Sequence, residues 1–297
     1  MKAYLIIVVL FAFLPIPSYA EPVEVSVSAY VLNIGKFEVG TGSYTIDFYL
    51  DFKCNQMCNP EKFEFSNGRA TSIDKLIDTP TEKFYRIQAS LSQNIDLKRY
   101  PFDSHSLTIE VEDKENTIEK IVYVSESENS GIDPSVIIVG WEIDGWNSTV
   151  TEHYYAPYDE TYSRYIFSIY INRVPLTSAI KSFLPVFFMV FVALLSLLLK
   201  ADKVTTRLTL NISTLLAAVM FHVNLTSSIP PVGYLTFADK FMISTYMILI
   251  SVLFSGILLM RHTESKDEVK TEKIYKTALF TIPVATVILY TIIFILL

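Results

Sequence analysis

The sequence predicts an all-β domain, a shortened immunoglobulin-like sandwich, followed by four transmembrane α-helices. Three observations lead to this fold class. Residues 23–173 alternate apolar and polar positions in the manner of β-strands. Four apolar runs, each near the length of a membrane span, follow them. The charge is also divided, because residues 21–178 carry a net charge of −12 and residues 179–297 carry a net charge of +4.

The first twenty residues have the pattern of a secretory signal peptide. Lys2 precedes an apolar run, and cleavage is expected after Ala20 in Ser18-Tyr19-Ala20. An N-terminal anchor helix is the alternative, but the run ends at Pro15 and is short for a span. We therefore expect the acidic domain to lie outside the cytoplasm.

The strand prediction rests on six segments that are rich in Val, Ile, Tyr and Phe and that break at Gly, Asn, Asp or Pro. Short consecutive strands of this kind are typical of an antiparallel sandwich. The segments are YTIDFYLDF (44–52), FYRIQASL (84–91), SLTIEVED (106–113), KIVYVSE (120–126), VIIVGWEI (136–143) and RYIFSIYIN (164–172).

The two cysteines of the chain are Cys54 and Cys58, in a C-x3-C spacing. In an oxidising compartment they either close a small disulfide loop or stay as free thiols. A metal site would need further ligands, and no histidine lies near them in the sequence. We expect neither a metal nor another cofactor.

Four apolar runs form the second half. A buried helical core is a weak alternative, because four such runs in succession leave no polar face for water. The runs are SFLPVFFMVFVALLSLLL (182–199), RLTLNISTLLAAVMFHVNL (207–225), FMISTYMILISVLFSGILLM (241–260) and ALFTIPVATVILYTIIFILL (278–297).

The loops between these runs predict the orientation. Basic residues lie between the first and second runs and in a linker at 261–276, whereas residues 226–237 contain no Lys or Arg. By the positive-inside rule the basic connections are cytoplasmic. The sequence thus predicts a signal peptide (1–20), an outer β domain (21–178) and a four-helix domain (179–297) in the plasma (inner) membrane, with lipids as partners.

The second run differs from the others because it is rich in hydroxyl and amide side chains. Polar residues in a membrane helix usually face protein or a water-filled path. One stripe reads polar, then apolar, then polar, as expected of a filter and a dewetting gate; a helix buried in a bundle is the alternative. His222 lies away from this stripe and is expected to be packed and hydrogen-bonded rather than a proton sensor. The stripe consists of Thr205, Thr209, Ser213, Leu216, Met220, Val223 and Ser227.

These pieces together resemble the pentameric ligand-gated ion channels, the Cys-loop receptor superfamily, in its prokaryotic branch. The resemblance rests on RYPFDS (99–104), VIIVGWEI (136–143), YINR (170–173), Pro185, and the run from RLTLNISTLLAAV to SIPPVGYLTFADKF. It covers residues 84–297; the family's Trp-x-Pro segment is absent from residues 21–83. The resemblance implies a homopentamer, with the stripe lining the pore.

The resemblance also implies a role for the RYPFDS loop. Tyr100 and Pro101 would form a wedge against the helix tops, and Asp103 would pair with Arg173 just before the first span. The family's acidic residue in the first strand loop has no match here; Lys36 is at that loop's tip, with Glu38 as a possible substitute. An ordinary turn with a capping carboxylate is the alternative for Asp103.

In the family, agonists bind between subunits under the hairpin before the last strand. Here that hairpin contains Tyr154, Tyr155, Tyr158 and Tyr162. Aromatic faces hold ammonium groups by cation–π attraction, but tyrosine is also common in edge strands. The agonist is therefore left open among a small amine, a divalent ion and protons.

The acidic outer domain favours monovalent cations as the permeant ions. Cation-selective relatives often carry Glu where this chain has Thr206, and Asp202 is the nearest acid. A membrane-anchored binding protein or sensor without conduction is the alternative function. An exported enzyme is disfavoured, since His105 and His153 are the only histidines of residues 21–178 and no Ser-His-Asp or zinc spacing is present. Nucleic acid is not an expected partner.

Overall fold

The computed structural model describes residues 21–227 and 229–295, so the predicted signal peptide, 1–20, lies outside the described residues. Within them the chain forms a β domain followed by four long helices. The strands are β1 (Val23–Ile34), β2 (Ser43–Cys54), β3 (Phe63–Phe65), β4 (Gly68–Asp78), β5 (Glu82–Ser92), β6 (Ser104–Asp113), β7 (Ile121–Ser125), β8 (Gly131–Ile132), β9 (Trp141–Tyr155) and β10 (Glu160–Arg173).

The strands form two sheets, as expected for a sandwich. One sheet has the order β4-β5-β2-β1-β7, with β8 also on β1, and the other has the order β3-β6-β10-β9. The prediction of a wholly antiparallel sandwich is wrong in one respect, because β7 and β8 run parallel to β1. The chain changes sheets after β6, so β7 reaches β1 by a crossover instead of a hairpin.

The alternation seen in the sequence becomes the core between the two sheets. Alternate residues of β1, β2, β6 and β10 are almost fully buried and face one another across the sandwich, as period-2 patterning requires. They include Val27, Ala29, Phe48, Leu50, Ile109, Val111, Phe167 and Ile169. Packing of these side chains is what holds the two sheets together.

Two segments of the β domain depart from the sequence prediction. Residues 136–140 were expected to begin a strand, but β9 begins at Trp141, because Gly140 adopts φ +87° and turns the chain. Cys54 ends β2 and forms a disulfide with Cys58, which decides the question that the spacing left open.

The four helices confirm the predicted membrane-length segments. They are α1 (Pro175–Ser196), α2 (Val204–Thr226), α3 (Phe237–Glu264) and α4 (Glu268–Ile295), with a short 3-10 helix at Ala201–Lys203. The domain boundary is at Val174, before the predicted 178. The linker predicted at 261–276 shrinks to residues 265–267, because the charged residues there continue α3 and α4 as helix, partly through pairs such as Glu272 with Lys276.

The helices pack around α3, which is the most buried of them. Its start is fixed by a capping box: Thr236 Oγ1 accepts from the Asp239 N–H at 3.2 Å, and Asp239 Oδ2 accepts from the Thr236 N–H at 2.8 Å. Gly256 allows α2 to approach closely, since a Cβ there would lie 2.9 Å from Leu208 Cδ2. One face of α2 is therefore held firmly against α3.

Candidate coupling, pore and ligand sites

The structure brings Asp103 and Arg173 into contact at the boundary between the two domains. Arg173 Nε donates to Asp103 Oδ1 at 2.7 Å, and Arg173 Nη2 donates to Asp103 Oδ2 at 3.0 Å. This bidentate geometry is the strong form of an Arg–carboxylate pair. The Asp103 side chain is fully buried, whereas 20% of the Arg173 side chain is exposed. Residues seventy positions apart thus form one ion pair at the end of β10.

Three further residues complete this coupling cluster, and the sequence reasoning missed them. His105 Nε2 lies 2.7 Å from Asp103 Oδ2, and the Arg173 guanidinium lies 4.3 Å from the centre of the Trp141 ring. Phe37, from the β1–β2 loop, packs edge-on against both His105 and Trp141. A register argument would have found Trp141, because it pairs directly with Arg173 in the β9–β10 ladder.

The cluster keeps Asp103 charged. Burial by itself would raise the pKa of the Asp103 carboxyl, but the hydrogen bonds from His105 and Arg173 outweigh it and hold the pKa at about 2, below the usual 3.8. Asp103 is therefore an ionised acceptor at any physiological pH. A charge buried in this way depends on its partners, so moving Arg173 or His105 changes its energy directly.

The predicted partners in the first strand loop lie elsewhere. Lys36 Nζ donates to Glu38 Oε1 at 2.9 Å, and both side chains are largely exposed. This loop contacts the cluster through Phe37 instead. Phe37 lies between Lys36 and Glu38 in the sequence, and its side chain is buried. The loop therefore meets Asp103 and Arg173 through an aromatic ring and not through a charge.

Residues 97–103 lie against the helix tops, as the resemblance implied. The Phe237 N–H donates to the Lys98 carbonyl at 2.8 Å, and the Ala238 N–H donates to the Tyr100 carbonyl at 3.0 Å. The cis peptide bond between Tyr100 and Pro101 shapes this loop. Phe102 packs on Phe183 of α1 and Phe237 of α3. A shift of this loop would therefore be transmitted to α1 and α3 through backbone and ring contacts.

The two faces of α2 have opposite surroundings. Its buried residues are Val204, Arg207, Asn211, Thr214, Ala218 and Leu225. The seven residues of the predicted stripe, Thr205 to Ser227, are all exposed. At about 100° per residue, the centres of the two sets lie about 180° apart around the helix. The stripe thus faces directly away from α1 and α3.

The stripe keeps its predicted order of polar and apolar side chains. Leu216, Met220 and Val223 are 61%, 67% and 65% exposed, so the apolar part of the stripe is as free of contacts within the chain as its polar parts. Thr209 Oγ1 donates to the Thr205 carbonyl at 3.0 Å, one turn back. Such a bond uses the hydroxyl proton and leaves oxygen lone pairs facing outward.

His222 is packed and hydrogen-bonded, as predicted. Its Nδ1 lies 3.0 Å from the Tyr246 hydroxyl and its Nε2 lies 3.1 Å from Asp239 Oδ1. Asp239 also caps α3 through Thr236, so the histidine ties α2 to the start of α3. This arrangement explains a polar residue on the packed side of the helix.

The β9–β10 hairpin forms one wall of a cleft of about 190 Å³. Tyr155, Tyr158 and Tyr162 line it, together with the acidic residues Glu64, Glu112 and Asp113 and with Lys114. Tyr154 is not part of the lining, and its hydroxyl donates to Asp159 Oδ1 at 3.0 Å. The cleft therefore combines three aromatic rings with an excess of carboxylates.

The polar groups of this cleft are held by hydrogen bonds. The Tyr155 hydroxyl donates to Glu112 Oε2 at 2.8 Å, and Arg164 Nε donates to Glu112 Oε1 at 2.5 Å. Burial and the bond to Glu112 raise the pKa of the Tyr155 hydroxyl. A bond to the Glu160 carboxylate raises the pKa of the Tyr162 hydroxyl to about 12. Both rings thus stay neutral near pH 7, as a cation–π site requires.

A two-sheet β domain, a loop at the helix tops and four membrane-length helices agree with the architecture of pentameric ligand-gated ion channels, which the chain resembles. The comparison with family models found no match. Among curated proteins, the chain is 24% identical over 170 residues to the "Proton-gated ion channel" of Gloeobacter violaceus. This match covers 57% of the chain and 47% of the relative, so it spans about half of the relative's length. The similarity and the four helices together support a multi-pass membrane protein.

Proposed function

We propose that the chain is one subunit of a homopentameric ligand-gated ion channel with α2 lining the pore. The observation that carries this proposal is the pair of opposite faces of α2: one packs against α1 and α3, and the other exposes a regular polar–apolar–polar stripe. One helix cannot enclose a path, so the exposed stripe requires copies of itself around an axis. The family that the chain resembles is pentameric, and we take the number of subunits from it.

The stripe supports a gate made of apolar rings. Thr205, Thr209 and Ser213 lie toward the end of α2 that is remote from the β domain, and Leu216, Met220 and Val223 follow. Five copies of each apolar residue would form a constriction that closes by losing its water. The hydroxyl rings would contact permeating ions in place of hydration water.

Cations are the proposed permeant ions. Residues 21–178 carry a net charge of −12, which raises the local concentration of cations at the mouth of the pore. Basic residues near the remote end of the helices favour a cytoplasmic location for that end, with the β domain outside. Reversal potentials in asymmetric KCl and NaCl test the ion sign, and a shift toward the chloride potential would refute it.

Protons are the proposed agonist, acting on the coupling cluster. The Gloeobacter violaceus relative is named a proton-gated ion channel, and His105 lies against the Asp103–Arg173 pair in the cluster. Histidine is the side-chain type best suited to change charge near neutral pH. A second positive charge beside Arg173 would compete for Asp103 and loosen the hold of β10 on residues 97–103. Phe37 and Trp141, which carry no charge, pack edge-on against the His105 imidazole ring.

The aromatic cleft favours a second candidate agonist, a small organic cation. Three tyrosines and three carboxylates suit an ammonium group better than a proton alone. In this case the binding signal would travel along β10 from Tyr162 to Arg173. Acid steps and tetramethylammonium, each applied alone, separate the two candidates.

Cysteine modification during single-channel recording tests the proposal. Both cysteines among the described residues are joined in a disulfide, so a newly introduced thiol is the reactive one. We expect a charged methanethiosulfonate to block current through Ser213→Cys and to leave Ile250→Cys unaffected, since Ile250 is exposed on α3 away from the stripe. Equal modification of both would contradict a pore along α2.

Two further outcomes discriminate the alternatives. Native mass measurement in detergent is expected to show a pentamer, and a stable monomer or dimer would contradict it. A pentamer that binds tetramethylammonium but passes no current under any stimulus would identify the membrane-anchored binding protein instead.

His105→Gln, which keeps a hydrogen bond to Asp103 but cannot gain a proton, is expected to abolish or shift the acid response.

A further inference from the structure

The packed face of α2 carries a positive charge that no acidic side chain among the described residues neutralises. Arg207 is 1% exposed, and its Nη2 donates to Ser255 Oγ on α3 at 3.3 Å. Its Nε and Nη1 are buried, and neither has a hydrogen-bond partner in residues 21–227 and 229–295. Arginine stays protonated in proteins, so burial does not remove the charge. A buried charge without a counter-charge is costly, and a fold that keeps one needs an anion beside it.

A second unpartnered donor lies one turn along the same face of α2. Asn211 is also 1% exposed, and its Nδ2 is buried without a hydrogen-bond partner in the part of the chain that the structure describes. Its other amide atom, Oδ1, lies 2.9 Å from the hydroxyl of Ser196 at the end of α1. Residues four positions apart on a helix have Cβ atoms about 5–6 Å apart. Arg207 and Asn211 therefore place three nitrogen donors in one buried region.

The surroundings of these donors supply no negative charge. Of the acidic residues that the structure describes in α1 to α4 and in the 3-10 helix, none is buried. Asp202 is the nearest of them to Arg207 in the sequence, and its side chain is exposed. The buried side chains that contact the two residues are the neutral hydroxyls of Ser196 and Ser255. The counter-charge of Arg207 thus has to come from outside the chain.

We propose that Arg207 and Asn211 bind one small inorganic anion, of the size and charge of chloride, inside the four-helix domain. The guanidinium Nε and Nη1 and the amide Nδ2 are all donors, which suits a ligand that only accepts. One negative charge cancels one guanidinium. The anion is taken up as the helices pack, so an open path to the surface is not needed.

Close packing beside the site selects a small anion. Gly256 follows Ser255 on α3, and a Cβ there would lie 2.9 Å from Cδ2 of Leu208, the residue after Arg207. The two helices are therefore in contact at adjacent positions, which disfavours a phosphate or an organic carboxylate. A water molecule is small enough and would satisfy the donors, but it would leave the charge uncompensated. A monovalent anion meets both requirements.

The bound anion would also act on ions in the pore, if α2 lines the pore as proposed above. Arg207 lies near the end of α2 that is remote from the β domain, so five copies would surround that end with positive charge. Five bound anions would cancel this field and favour the passage of cations. The tests below measure binding and stability alone. Their outcome is therefore separate from the outcome of the conduction experiments.

Bromide is the first probe, because it replaces chloride and scatters X-rays anomalously. Crystals of the full chain grown in sodium bromide are expected to show an anomalous peak in each chain, within hydrogen-bonding distance of Arg207 Nε or Nη1. Three observations would each overturn the proposal: no peak at this position, water molecules in its place, or an Asn211 amide turned so that its oxygen accepts from the guanidinium.

Thermal unfolding of the detergent-solubilised protein is the second test. A ligand that binds only the folded state raises the unfolding temperature, here by about 2–4 °C for each tenfold rise in anion concentration above the dissociation constant. Sodium chloride and sodium bromide should produce this rise when they replace sodium gluconate at constant ionic strength, since gluconate is too large for the site. Equal unfolding temperatures in chloride and gluconate would overturn the proposal.

Two matched variants locate the effect. Asn211→Asp puts a carboxylate one turn from Arg207, so its unfolding temperature should not depend on halide and should be at least as high in gluconate as that of the parent. Asn224→Asp makes the same change on the exposed side of α2 and should keep the halide dependence of the parent. Halide dependence retained in Asn211→Asp, or lost in Asn224→Asp, would contradict the site. If a variant does not assemble, the bromide peak in the parent decides the matter.

Discussion

The ion pair between Asp103 and Arg173 gives the sharpest test of coupling between the two domains. The perturbation is a double-mutant cycle with Asp103→Asn and Arg173→Gln, which remove charge with little change in shape. The fully buried carboxylate is held by bonds of 2.7 and 3.0 Å from Arg173 and by His105 at 2.7 Å. Its pKa of about 2, against the usual 3.8, corresponds to about 2–3 kcal/mol of net stabilisation of the charged form.

The single substitutions are expected to differ. Arg173→Gln leaves a fully buried carboxylate with His105 alone, so we expect a cost near the 3–5 kcal/mol typical of a broken buried pair. Asp103→Asn leaves an arginine that is partly exposed and still lies over Trp141 and Tyr100, so about 2 kcal/mol is expected. The double variant should cost about 2 kcal/mol less than the sum, because neither charge is then stranded.

The assay is the opening equilibrium in acid-evoked currents, with thermal unfolding of the detergent-solubilised protein as a parallel readout of assembly. A coupling of about 2 kcal/mol appears as a factor of about 30 in the opening constant. Asp47 and Arg86 provide the matched control, since they form a similar two-contact pair at 3.2 and 2.9 Å on the domain surface. Their coupling should stay below about 1 kcal/mol. Additivity within about 0.5 kcal/mol for Asp103 and Arg173 would refute the reasoning.

Three further predictions follow from the same geometry. Leu216→Ser should hydrate the apolar rings and ease opening, seen as a larger current at submaximal stimulus; an assembled variant that opens no more readily would exclude Leu216 from the gate. The stabilisation of the ionised Asp103 carboxylate is present above the unfolded pKa near 4 and is lost as the pH falls toward 2, so the difference in unfolding temperature between the parent and Asp103→Asn should shrink as the pH falls below 4. Tyr158→Ala should weaken tetramethylammonium binding measured by calorimetry about three- to thirtyfold, whereas Tyr154→Ala, outside the cleft, should not; equal losses would argue against the cleft.

Local patterns in the sequence determined the two-part architecture. Strand alternation and apolar runs depend on residues a few positions apart, and each pattern permits few structures. The exposed stripe of α2 could be predicted for the same reason, since helical periodicity alone assigns Thr209, Leu216 and Val223 to one face. The pairing of Asp103 with Arg173 was found only through the resemblance to a family, because nothing local joins residues so far apart.

Tertiary structure alone decided which side chains meet. His105 and Trp141 join the coupling cluster because strands β6 and β9 both begin beside the end of β10, where Arg173 lies, and strand order is not written in any short segment. Glu38 was expected near this cluster but pairs with Lys36, since the loop turns its buried Phe37 inward instead. The helices α3 and α4 also extend into the charged residues at 261–276. The apolar runs stop there, but side-chain pairs one turn apart still support a helix.

Arg207 shows the same limit most clearly. In the sequence it is a basic residue at the base of a span, which suggests an exposed cytoplasmic charge. In the structure it is buried against Ser255, forty-eight positions away, beside a groove that α3 and α4 form together. Hydropathy and periodicity describe one element at a time. The surroundings of a charge depend on how several elements pack, and that packing is a property of the whole chain.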